Sequence, residues 1–318
     1  MLTLRVVVPA DAEAYASVIS SIHPDERTDP GVLRARWHEE SKHPTRQARY
    51  LIVASDAICG FAFWSCPEEW DSDSPRLANV NVRMAPPNQF EDAFGWILRR
   101  MERGALRAGA NLARAVARED EPFHLAMLER HGYSIDRTFR SWCLDLVKHR
   151  TALLHARTQS RGAMDTFEVK LVAASHRLND DIWRKLYELT VVTVPDIPAT
   201  VLEPMPSFET WLVTMRGPDM YPDRVWTAWA DGQLVGYSYL KYPQAGDVWT
   251  GYTATRKADR LRGIARALKL ETIGQAVELG ITSIWTANDV ENAAILHINE
   301  ALGYEPFPGL VTHMKPLG

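Results

Sequence analysis

Cysteine is scarce in this chain, and the common metal-binding patterns are missing from it. The three cysteines, Cys59, Cys66 and Cys143, are odd in number and form no CxxC pair. In 318 residues they cannot staple a fold, which argues against a disulfide framework and for a reducing compartment. The ten histidines include no HExxH or comparable ligand spacing, so no metal site is inferred. No GxGxxG follows a strand-like run, which removes the usual redox dinucleotide fingerprint. No stretch approaches the roughly 18 to 20 apolar residues of a membrane span. The start, "MLTLRVVVPADAEAY", breaks its apolar run with Pro9, Asp11 and Glu13, unlike a signal peptide, and a cytoplasmic protein is expected. A net charge of −4 gives no overall basic field, so neither nucleic acid nor membrane is expected as a partner.

What is present is an ordinary globular composition, 46% hydrophobic and 24% charged, with length enough for two domains. The first half predicts a strand at "LTLRVVV", a helix at "ADAEAYASVISSI", and strands at "ARYLIVAS" and "AICGFAFWS" around Asp56. It continues with a strand at "LANVNVRM", a helix at "FGWILRRMERGALRAG", a helix at "FHLAMLERHGY" and a closing strand at "SWCLDLV". The second half repeats the order. "TFEVKLV" reads as a strand, "SHRLNDDIWRKLYELT" as a helix, and "RVWTAWAD", "QLVGYSYLKY" and "DVWTGYTAT" as strands. "GIARALKLETIGQAVELG", "SIWTAN" and "NAAILHINEALGY" follow as helix, strand and helix.

Gly303 lies 171 residues after Gly132, and Gly280 lies 171 after Gly109, so the spacing predicts an internal duplication. The expected organisation is a first domain at 1–147, a polar, helix-capable linker at 148–164 and a second domain at 165–318. Both are read as α+β units of one fold, packed sheet against sheet as a pseudo-dimer that leaves the chain a monomer.

The stretch "RLRGIARALK" raises a question, because Gly263 is a poor helix former where a strong helix begins. The same offset places Gln89, Asp92 and Phe94 opposite Arg260, Gly263 and Ala265, so the fold alone is not expected to need this glycine. A glycine at a helix start lets a ligand approach the backbone, and free amides with the helix dipole favour an anion such as a phosphate. Arg260, Arg262 and Arg266 add positive charge to that turn.

Arg260-x-x-Gly263-x-Ala265, with "WTGYTAT" before it and "SIWTAND" and "NAAILHINEALGY" after it, resembles the acyl-CoA signature of the GNAT (Gcn5-related N-acetyltransferase) superfamily. Residues 1–147 resemble a degenerate copy, and the whole is similar to tandem-GNAT proteins, an architecture like that of mycothiol synthases. The resemblance implies two tandem GNAT domains, each a mixed, mostly antiparallel sheet flanked by helices. It implies acetyl-CoA held between "TGYTAT" and "SIWTAN", with Thr253, Ala254 and Thr255 on the pantetheine arm and thioester. Arg260, Arg262, Gly263, Ile264, Ala265 and Arg266 would take the pyrophosphate, and Asn288 and Asn292 would contact the arm; each asparagine also suits a strand end or helix cap. It implies direct attack of a primary amine, expected to be a small molecule, on the thioester.

One departure stands out. The tyrosine that commonly serves as acid falls on Asn299, which cannot donate a proton in that way. His297 and Tyr304 are the nearest titratable groups, with helix surface and core as their ordinary readings. For the base, Asp196 and Glu203 in the proline-rich stretch after Val192 are the candidates, with Asp247 a third. The tryptophans Trp249 and Trp285 are expected in the core of the cofactor strands. A catalytically inactive module that binds CoA or regulates a partner stays open as the alternative.

Overall fold

In the computed structural model, residues 2–42, 46–67, 70, 74–174 and 179–318 are described. The first half begins with β1 (Leu2–Val6), α1 (Ala12–Ile22) and α2 (Pro30–Glu40). Asp29 starts α2 by accepting the Gly31 N–H, and Pro30 supplies a preset φ at the first helical position. β2 (Gln47–Ala54) and β3 (Ala57–Ser65) form a hairpin whose turn carries Ser55 and Asp56 at positive φ. β4 (Leu77–Met84), α3 (Glu91–Arg107), β5 (Leu112–Arg118), α4 (Pro122–Arg130) and β6 (Ser134–Asp145) follow.

The expected closing strand "SWCLDLV" ends at Asp145, because that carboxylate accepts the Val147 and Lys148 N–H groups and starts a helix. This helix, α5 (Leu146–Thr166), runs through the expected junction. It packs on the long helix of the second half, where Arg157 Nε and Arg161 Nη2 each donate to Glu271 at 2.7 Å.

The second half comprises β7 (Lys170–Ala173), α6 (Asp180–Thr193), α7 (Phe208–Met215), β8 (Val225–Ala230), β9 (Gln233–Lys241) and β10 (Trp249–Thr255). It ends with α8 (Ile264–Glu278), β11 (Ser283–Asp289), α9 (Ala293–Ala301) and β12 (Glu305–Pro316). The helix expected from Ser175 starts at Asp180 instead, where Asn179 accepts the Ile182 N–H; residues 175–178 lie outside the described residues. The duplication holds to the residue. β5 and β11, α4 and α9, and β6 and β12 each begin and end 171 positions apart, while β3 and β9 are 176 apart.

The two halves do not pack sheet against sheet. All twelve described strands form one sheet, in the order β1-β2-β3-β4-β5-β12-β6-β11-β10-β9-β8-β7. The last strand of each half is inserted into the other half. β12 pairs with β5 from Leu310↔Arg118 to Pro316↔Leu112, and β6 pairs with β11 from Ser283↔Asp145 to Asp289↔Phe139. The exchange gives the long edges of β5 and β11 partners, edges that would otherwise be open to pairing with other chains. It also carries core residues across: Trp142 of β6 is buried among Leu240, Leu270, Ile284 and Tyr304. β12 escapes a pattern reading because Pro306 and Pro308 interrupt it, and the register shifts between Phe307 and Leu310 to absorb them.

Candidate active site

β10 and β11 run parallel but pair only at Trp249↔Trp285. There the two indoles stack with centroids 6.1 Å apart, and the Trp285 backbone N–H donates to Val248 O at 2.8 Å. Past that point the strands separate, and the facing edges of residues 250–255 and 286–289 have no strand partner. β10 also bulges at Gly251, where a Cβ would come within 2.0 Å of the Tyr239 ring, so only glycine fits. Unpaired backbone groups on two diverging strands suit a ligand that carries amides of its own.

The cleft leads to the start of α8. Gly263 is the residue before the helix and adopts φ 79°, ψ 3°. This corrects the expectation that the fold has no need of glycine here: the left-handed conformation is itself the need. Leu261 is also left-handed, at φ 66°, with its side chain fully exposed. A leucine in this conformation is a strained backbone that no packing contact rewards. Ile264, Ala265 and Arg266 form the first turn of α8, so their N–H groups have no acceptor inside the helix. The free donors of this first turn, beside a left-handed loop, are of the kind that suits an anion.

The positive charge is less than the three arginines suggested. Arg260 pairs with Asp196 and donates to Thr255 O at 3.2 Å. Arg262 pairs with Asp259 at 3.1 Å and donates to Phe167 O at 2.8 Å. Arg266 alone has no hydrogen bond or ion pair with any described residue.

The first half has the same divergence, with β4 and β5 paired only from Leu77↔Leu112 to Asn79↔Arg114. Here the chain's own side chains bridge the gap. Arg83 reaches across to Val116 O, and Met84 N–H donates to His124 Nε2 at 3.1 Å. Glu121 accepts the Arg118 N–H at 2.7 Å and pairs with Arg83 at 3.1 Å. Burial alone would raise the Glu121 carboxyl, but Arg83, His124 and His23 beside it hold it far below the usual carboxylate range. The 171-residue offset puts Ala254, Ile295 and Asn292 opposite Arg83, His124 and Glu121. Between Met84 and Gly95, no residue has positive φ.

Among the remaining expected residues, Thr253 Oγ1 bonds Ser238 Oγ at 2.8 Å, while the buried Thr255 Oγ1 has no partner. Asn292 occupies the cap position of α9 without a side-chain cap bond, so its amide is free for another contact. Asn288 Oδ1 accepts from Asn299 Nδ2 at 2.8 Å, and Asn299 Oδ1 is buried without a partner. His297 is exposed and Tyr304 buried, in keeping with surface and core. Asp247 is held by the Arg27 backbone N–H at 2.9 Å and by its guanidinium. Glu203 pairs with Arg114 of the first half at 2.6 Å.

Two adjoining cavities lie where the halves meet. One, of about 590 Å³, is bordered by Trp37, Phe63 and Arg114 from the first half and by Asp247 and Trp249 from the second. The other, of about 810 Å³, is bordered by Glu203 and Met205 and shares Asp219 and Lys241 with the first. Trp249 belongs both to a cavity wall and to the base of the diverging strands. Sequence reading missed these cavities because each wall combines residues from both halves. Among the described residues no cluster of ligating side chains could hold a metal ion, and no helix is long and apolar enough to cross a membrane.

No family model and no curated protein matches the sequence. Solved structures do match in three dimensions. A GCN5-related N-acetyltransferase from Sphaerobacter thermophilus superposes with a TM-score of 0.70 at 19% identity, covering 99% of this chain and 96% of that one. A tandem GNAT protein from the clavulanic acid biosynthesis pathway superposes with a TM-score of 0.73 at 16% identity, covering 100% and 99%. At such identities the likeness speaks to architecture, and it extends over both halves: the chain has the tandem GNAT fold.

Proposed function

We propose that the protein is an acetyl-CoA-dependent N-acyltransferase with one working site, in residues 165–318, acting on a small primary amine. The observation that carries this reading is the contrast between the diverging strand pairs. One opens onto a left-handed loop and a free helix N-terminus, and the other is bridged by Arg83 and His124.

Acetyl-CoA, as co-substrate, supplies a thioester already activated for acyl transfer. The free edges at Thr253, Ala254 and Thr255 would hold its amide-bearing arm, with Asn288 and Asn292 from the facing wall. The amides from Arg262 to Arg266, with the unpaired Arg266 guanidinium, would hold its pyrophosphate. The amine would enter from the cavities at the meeting of the halves, which reach the strand base through Trp249. A carboxylate must take its proton. Glu203 stands on a cavity wall, whereas Asp196 is tied to Arg260 beside the pyrophosphate loop, so Glu203 is the better placed. Because the halves already satisfy each other's sheet edges, the working form is one chain, which a sedimentation mass checks.

Calorimetric titration of acetyl-CoA into the wild type and Gly263→Asp tests this reading. Aspartate is among the residues that tolerate the left-handed region, so the variant should fold. The expected result is one site per chain in the wild type and none in the variant; equal binding by both would sink the assignment. The second reading, a CoA-binding module without turnover, draws on the buried, hydrogen-bonded state of Asn299. Binding without CoA release across a broad panel of primary amines would favour it.

A further inference from the structure

The duplication is a control on which buried polar groups the fold requires. Lys269 of α8 is 2% exposed and Asn299 of α9 is 0% exposed. Their counterparts 171 positions earlier are Leu98 and Leu128, both buried in the core of the first half. Two leucines of one packed core are thus replaced by a lysine and an asparagine in the other.

Neither side chain has all of its polar atoms partnered. The Lys269 ammonium has no hydrogen bond or ion pair among the described residues, and its Nζ lies 5.1 Å from the centre of the Tyr304 ring. Asn299 Oδ1 is buried without a partner. A buried lysine with no counter-charge is costly, and groups of this kind call for a purpose beyond folding. The two are linked through Tyr304, whose backbone N–H donates to Asn299 O at 3.1 Å. Asn299 Nδ2 in turn reaches Asn288 on the free edge of β11. A run of contacts thus leads from the Lys269 ammonium through Tyr304 and Asn299 to Asn288 on the wall of the strand cleft.

We propose that Lys269 is the proton donor to the thiolate that leaves when an amine attacks a thioester held between β10 and β11. The proposal rests on the functional reading above and supplies the acid that Asn299 itself cannot be. The amine nitrogen bonds to the acyl carbon, the carbon–sulfur bond breaks, and its electron pair goes to sulfur. Lys269 gives a proton to that sulfur. The proton shed by the nitrogen passes through the cavity carboxylate and water and restores the lysine, so an amide and a free thiol leave with no net change.

The surroundings suit the role. Burial brings the Lys269 ammonium down to about 8, which leaves it charged at neutral pH and close in acidity to a thiol. Tyr237 and Tyr239 of β9 and Tyr304 are all pushed upward by burial and stay neutral. Cys143 of β6 is raised to about 11, again by burial. On α8 itself, Glu271 and Glu278 are taken up by Arg157 and Arg161 of α5.

The test is the ultraviolet titration of the thiol of coenzyme A bound to the full chain, in the wild type and in Lys269→Leu. The leucine copies position 98 and should fold. A nearby cation lowers a thiol by roughly one to three pH units. The bound thiol should therefore titrate that far below free coenzyme A in the wild type and lose the difference in the variant, with both proteins still binding coenzyme A. Equal titration in two proteins that both bind would overturn the proposal alone. Failure of the wild type to bind coenzyme A would overturn the functional reading, and this proposal with it.

Discussion

The gap between β4 and β5 and the gap between β10 and β11 have the same backbone origin, a parallel pair that is joined at one end and diverges. In the first, Arg83, Glu121, His124 and His23 form a buried charged network that satisfies the backbone edges from within. In the second, Ala254, Asn292 and Ile295 leave the facing strand edges unbridged. A few side chains therefore decide whether one geometry is an open cleft or a bridged joint. The same contrast runs through the helix starts, where Phe90 is extended and Gly263 left-handed. It runs through the cores as well, with Leu98 against Lys269.

The comparison breaks most completely if either half can stand alone. Residues 148–318 expressed without β6 should give no cooperative unfolding transition by circular dichroism, because β11 loses its partner and the core loses Trp142. A stable, acetyl-CoA-binding fragment would refute this. Next in size, Arg83→Ala strands the Glu121 carboxylate in a buried site and should cost about 3 to 5 kcal/mol in a denaturant titration. It should create no second acetyl-CoA site, since the first half also lacks the left-handed loop. The reciprocal Ala254→Arg should fill the working cleft and weaken acetyl-CoA binding on the order of 100-fold, with a melting temperature close to wild type. Loss of the fold along with binding would mean that the two clefts are not interchangeable in this way.

The smallest effect sharpens the comparison of cores. Lys269 has a folded pKa of about 8, below the usual 10.5, so the folded state binds its proton less readily than the unfolded state does. Its destabilisation is complete below pH 8 and is lost as pH rises towards 10.5. Lys269→Leu should stabilise the chain by roughly 1 to 3 kcal/mol at pH 7, with the gain fading across that window. A gain independent of pH would point to packing in place of charge.

Much of this was legible in local pattern. Hairpins announced themselves by alternation around Asp56, helices by their closing glycines, and the repeat by a constant spacing. The loop before α8 drew notice through one glycine at a helix start. What stayed hidden depends on long-range pairing. β12 carries Pro306 and Pro308, which read as a break, and no local pattern says which sheet a strand will join. α2, "PGVLRARWHEE", mixes arginines with few apolar residues and shows little helical stripe. Arg83 passed as an ordinary strand residue, although the offset that exposed Asp92 also sets it against Ala254. Lys269 sat inside "RALKLE" as a good helix former until its burial among apolar neighbours became visible.

The strand exchange also bears on the order of synthesis. The outer edge of β5 waits for β12, whose last residue, Pro316, is made 171 residues after Asp145 closes β6. At about 5 to 20 residues per second, that is roughly ten to thirty seconds on the ribosome. Through that interval the first half is an unfinished sheet, and its completion falls to a segment translated long after it. A nonsense or frameshift lesion in the final strand would therefore undo residues near Leu112 as surely as those around it.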